Sequence, residues 1–183
     1  MGHLIPYVCL ILAFLGLGVI AARSQQNAVK LSQCGWEDLL SRFQKVDIDA
    51  LTTVALDYLN PRQSQTAIQP RVLWKLVGHY EGLRRMRNNA DLMLALAAHA
   101  RHWNFDEATI VGERMRRDAL RLRSALWKIE AGFLPFTILR QFHVRTPFQI
   151  QEAAAAYYLM RERLLALYAA SHSGRYPVLA AVL

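Results

Sequence analysis

Five arginines fall within ten residues of this chain: Arg114, Arg116, Arg117, Arg121 and Arg123, with Asp118 the one acid among them. A second group, Arg84, Arg85 and Arg87, precedes them. Guanidinium groups are permanently charged, planar and bidentate toward phosphate and carboxylate. Gathered on helices, they form a basic face suited to lipid phosphates, an acidic protein or nucleic acid. A plainer account of the same residues is a solvated helix face. Arginine stems would then cover apolar surface, with Glu113 and Asp118 as local partners.

Other chemistry is sparse. His99 and His102 lie three apart beside Trp103, a spacing that can put two imidazoles on one helix face. A metal site needs further ligands and a supporting shell, and nothing in the sequence brings His79 or Glu81 to this pair. The two histidines therefore read as ordinary surface or boundary residues, and no cofactor is expected. None of the seven glutamates is followed by a histidine three residues on, which excludes the carboxylate-bridged di-iron bundle. The chain has no phosphate-binding glycine loop, nucleophile elbow or His-Glu-x-x-His motif. Cys34 reads as an incidental thiol. Zinc-finger, RNA-recognition and helix-turn-helix signatures are absent too, so an anionic lipid or an acidic protein is favoured over nucleic acid.

The net charge is +8, and all 22 basic and 14 acidic residues follow Ala22. There are 18 arginines against 4 lysines. A GC-rich coding bias accounts for that ratio most economically, but it does not remove the charge. Cys9 and Cys34 are the only cysteines, and Cys9 lies in an apolar run. No disulfide framework is available, which fits a reducing compartment.

That apolar run is LIPYVCLILAFLGLGVIAA, Leu4 to Ala22, nineteen residues without a charge and followed at once by Arg23. A helix of that length, at about 1.5 Å per residue, just crosses a hydrocarbon core of about 30 Å. No Lys or Arg precedes it, whereas Arg23, Lys30, Arg42 and Lys45 follow. The positive-inside rule then predicts a cytoplasmic C-terminal domain on a single-pass anchor. A cleaved signal peptide is the rival reading, with Val19 and Ala21 at the peptidase positions and a periplasmic or secreted product. It suits the sequence less well, because a basic n-region is missing and the apolar stretch is long. Pro6 stands against myristoylation. Gly18 and Ala22 have a small-xxx-small spacing that could bring two anchors together.

The expected organisation is an anchor over 1–22, a linker or anchor-helix extension over 23–34, and a basic all-α domain over 35–183. A short helix is predicted from Trp36 to Phe43. Asp47 caps the next, which runs to about Leu59. Asn60 to Pro70 reads as a loop and a candidate hinge. Leu73, Leu76, Tyr80 and Leu83 predict one helix starting at Pro70, broken by Asn88-Asn89. A further helix is expected from Ala90 to Trp103.

The longest periodic stretch runs from Asn104, a capping residue, to Ala131. Its stripe is Ala108, Val111, Met115, Ala119, Leu122, Leu126 and Ile129. Gly132 stops it, and Phe133 to Phe142 reads as a bent helix. Thr146-Pro147-Phe148-Gln149 opens a last long helix whose apolar residues cover a wide arc, so it should be central. The segment from Tyr176 to Leu183 is expected to fold back. No stretch alternates with period two. The fold class is therefore all-α: one transmembrane helix, then a bundle of about six or seven helices.

Three functions compete on these grounds. The first is a membrane-anchored, non-enzymatic helical scaffold that binds an acidic protein or anionic lipid through the Arg-rich helix. The second is an exported helical domain that binds an anionic ligand. The third is a metalloprotein or enzyme centred on His99 and His102.

Overall fold

The computed structural model describes residue 31 and residues 34–60, 68–103, 105–132 and 146–183. The chain divides into two units, Met1–Gly35 and Trp36–Leu183. The apolar run 4–22, most of the segment 23–34, residues 61–67 of the expected hinge, the Asn104 cap and the expected bent helix over 133–142 lie outside the described residues. Among the described residues, no helix is long and apolar enough to cross a membrane.

Among the described residues of the second unit, every regular element is a helix. Its seven helices are α1 (Trp36–Ser41), α2 (Ile48–Leu59), α3 (Pro70–Leu76), α4 (His79–Ala100), α5 (Phe105–Gly132), α6 (Thr146–Ser171) and α7 (Tyr176–Val182). Helix α6 packs against α2, α3, α4, α5 and α7, with its largest interface on α5. Alanines make this central place available. Ala153, Ala154, Ala155 and Ala156 are buried in sequence with Tyr157, and Met160, Leu164, Leu167 and Tyr168 continue the burial. Small side chains let neighbouring helices approach on several sides, and burial spread in this way leaves no single apolar stripe.

Helix α5 buries one side only. Ala108, Met115, Ala119, Leu122, Leu126 and Ile129 are buried and Val111 is half-buried, as the stripe predicts. Full burial of each larger aliphatic chain contributes about 1.5–3 kcal/mol before entropy is counted. Helix α2 begins as expected, with the Asp47 carboxylate accepting from the Ala50 N–H at 3.1 Å. Helix α7 folds back against α6, burying Leu179 and Leu183, and Arg161 Nε donates to the Leu183 carbonyl oxygen at 3.2 Å.

Two boundaries differ from the sequence expectation. The helix from Pro70 ends at Leu76, because Gly78 and His79 take left-handed backbone angles (φ 74° and 60°). The chain then turns so tightly that a Cβ on Gly82 would lie 1.8 Å from the Val77 carbonyl oxygen. The expected break at Asn88-Asn89, by contrast, does not occur, and α4 continues through both. Asn89 is buried, and its side chain is held by partners remote in sequence. Its Nδ2 donates to the Gln44 carbonyl oxygen (2.8 Å) and the Tyr157 hydroxyl (3.1 Å), and its Oδ1 accepts from the Gln44 N–H (3.0 Å). An asparagine satisfied by tertiary partners no longer competes with the helix around it.

Candidate functional site

The arginines singled out by the sequence do not form one continuous surface. Those of α4 lie in mid-helix and not at a helix end, since α4 has no break at Asn88. Arg84 is exposed. Arg85 meets Glu81 at 3.4 Å and donates to the Lys45 carbonyl oxygen at 3.2 Å, so it ties down the loop before α2. Arg87 reaches Glu130 on α5 at 3.4 Å, and Glu130 also accepts from the Tyr80 hydroxyl at 3.0 Å. Arg123 on α5 returns the contact, meeting Asp91 on α4 at 2.5 Å. These crossings, 87 with 130 and 91 with 123, show that α4 and α5 run antiparallel and are laced at their outer edge.

Helix α5 presents its other arginines differently. Arg116 and Arg117 share the single carboxylate of Glu113, at 3.7 and 4.0 Å. Arg121 lies 3.9 Å from Asp118, whose carboxylate is already engaged by Arg163 of α6. The side chains of Arg116, Arg117 and Arg121 are 61%, 72% and 66% exposed. The two Glu113 contacts, long and exposed on both sides, contribute little to stability. Arg114 is also exposed but stands on the α6 side, near Arg163. Burial first, and then the Arg114 charge, holds Arg163 below its ordinary value.

The Asp118–Arg163 pair escaped the sequence reading, although its signal was present. Asp118 sits within the core stripe, three residues after Met115 and four before Leu122, and is 2% exposed. An acid in that register requires a cation from the facing helix.

The histidine pair acquires neighbours but no metal geometry. The rings of His99 and His102 lie 6.3 Å apart, and His172 and Tyr168 stand edge-on to Trp103 at 5.0 and 6.0 Å. The Arg175 guanidinium lies 4.8 Å from the Trp36 ring and 4.7 Å from Trp103, a doubly stacked cation that pins the α6–α7 turn to both tryptophans. Among the described residues, no group of three or more His, Cys, Asp or Glu side chains could hold a metal ion.

The tyrosines report the same burial. Tyr168 donates to the Leu96 carbonyl oxygen at 3.1 Å, and burial pushes its hydroxyl up to about 12 against smaller effects of Trp36 and Arg175. Tyr157 is raised by burial, which outweighs the Asn89 hydrogen bond. Tyr58 is raised by burial and by Glu152, while Arg121 opposes.

Fold and site together define a helical bundle with one basic outer helix face. No protein-family model matches the chain, no curated protein matches it in sequence, and no solved structure matches its fold.

Proposed function

We propose that the chain is a membrane-anchored, non-enzymatic helical interaction domain that holds a negatively charged partner, an acidic protein or anionic lipid, at the cytoplasmic face. The observation that carries this reading is the outward, loosely paired set Arg116, Arg117 and Arg121 on α5. Stability accounts poorly for these groups, because the guanidinium groups are solvated and their acid contacts are long. Encounter with a negative surface does: each basic residue near an anionic leaflet contributes about 1 kcal/mol. The apolar run 4–22 supports the tether, and Arg23, Lys30, Arg42 and Lys45 support the cytoplasmic side. Arg85, Arg87 and Arg123 serve the bundle, and their partners explain why they should be left intact in a test.

The full chain in neutral detergent should bind surfaces coated with polyglutamate or doped with phosphatidylserine. Reversal of Arg116, Arg117 and Arg121 to Glu should abolish that binding at unchanged helicity. Equal retention of the wild type and the triple variant would contradict the reading.

A further inference from the structure

The outer face of α5 carries apolar groups as well as charge. Leu120 and Trp127 are 63% and 62% exposed. Residues 116, 120, 123 and 127 follow one another in steps of four, three and four, so Arg116, Leu120, Arg123 and Trp127 form one ridge. Arg117, Arg121, Ser124 and Lys128 form the ridge beside it by the same spacing. Neither ridge includes the buried stripe Met115, Ala119, Leu122, Leu126 and Ile129. From residue 116 to 128 the only acid is Asp118, which is buried against Arg163. Acids do border the patch, namely Glu113 at one end and Asp91 and Glu130 along the α4 edge.

We propose that this double ridge is a second membrane contact, lying on an anionic bilayer with Trp127 and Leu120 at the headgroup level and Arg116, Arg117, Arg121 and Lys128 against lipid phosphates. The inference rests on the tethered reading above and narrows its partner to lipid. Three observations favour a bilayer over an acidic protein. Tryptophan and leucine interleaved with arginine match the chemistry of a membrane interface, where indoles settle and guanidinium groups bind phosphate. The patch is a convex strip of about a dozen residues, roughly 18 Å long at the helical rise. A strip about one helix wide offers far less than the roughly 800 Å² per partner of a stable protein interface. A weak contact suffices, however, when a tether supplies high effective concentration. The thirteen residues 23–35 between the apolar run and α1 span at most about 45 Å when extended, so the domain stays within reach of the leaflet.

The test uses the full chain in nanodiscs of phosphatidylcholine alone or of an equal mixture with phosphatidylserine, both with brominated acyl chains. Tryptophan quenching is compared between the wild type and Trp127→Phe, which leaves Trp36, Trp74 and Trp103 in place. The docked-to-undocked ratio read from the Trp127-dependent quenching should be at least about fivefold greater on the anionic discs, the factor one basic residue near a charged leaflet supplies. It should also fall as salt is raised. Identical quenching of the two proteins on anionic discs would overturn the proposal. A photo-crosslinking residue in place of Leu120, used in native membranes, should yield lipid adducts. A discrete protein adduct without lipid would overturn the lipid assignment while leaving the tethered interaction domain standing.

Discussion

Helices α5 and α6 are near equals in length, 28 and 26 residues, and form the largest interface of the bundle, yet they handle charge in opposite ways. On α6 the arginines are tied down. Arg161 contacts Glu162 at 2.6 Å and the Leu183 carbonyl oxygen at 3.2 Å, and Arg163 engages the buried Asp118. On α5, Arg116, Arg117 and Arg121 point into water with acid contacts of 3.7 Å or more. The difference separates charge that the fold needs from charge that the fold merely carries. The second kind, together with the exposed Leu120 and Trp127, is where an interaction surface is to be sought.

Mutations can break this comparison. Asp118→Ala should have the largest effect, about 3 kcal/mol of lost stability in denaturant unfolding, because it strips Arg163 of its buried partner. The figure is placed low in the range for buried pairs because Arg163 keeps a 31% exposed side chain. Asn89→Leu should follow at about 2 kcal/mol, since both backbone groups of Gln44 lose their partner near the Tyr157 hydroxyl. If either change left the midpoint untouched, the claim that the fold depends on these polar contacts would fail.

Tyr168→Phe should cost about 1 kcal/mol at neutral pH through the lost bond to Leu96. Its pH dependence sharpens the test. Tyr168 is raised to about 12 in the fold, against about 10 when unfolded. Between those values the unfolded state gives up its proton first, so stability present below pH 10 is lost as pH rises toward 12. Tyr157, Tyr58 and Tyr80 are raised as well and add to that loss. The Phe variant should lose less stability than the wild type over this window, measured by unfolding at stepped alkaline pH. The smallest stability effect belongs to the outer face of α5. Arg116 and Arg117 changed together to Glu should shift unfolding by less than about 1 kcal/mol, as solvated substitutions do. A larger loss would assign those arginines to the fold and not to a partner.

Much of the fold was legible because its causes are local. Asp47 announces the start of α2, and the steps of three and four from Ala108 to Ile129 give the buried side of α5. The broad apolar arc after Thr146 marks α6 as central. What escaped depended on tertiary partners. Periodicity ran through Leu76 to Leu83, but the left-handed pair Gly78 and His79 ends the helix there. Asn88-Asn89 looked like a break until Gln44 and Tyr157 took up the hydrogen bonds of Asn89. Among the arginines, sequence spacing identified the cluster. It could not show that Arg87 and Arg123 are committed across the α4–α5 seam, because their partners Glu130 and Asp91 are remote in sequence. The exposure of Leu120 and Trp127 follows from the same stripe that buries Leu122 and Leu126, read from the other side of the helix.

The most direct test of the account is topology. A reporter active only inside the cytoplasm, and separately one active only outside it, would be fused to Leu183 and the cells fractionated. The account predicts a full-length product in the membrane fraction with the cytoplasmic reporter active. Activity of the external reporter, or a shortened soluble product beginning near Arg23, would contradict it.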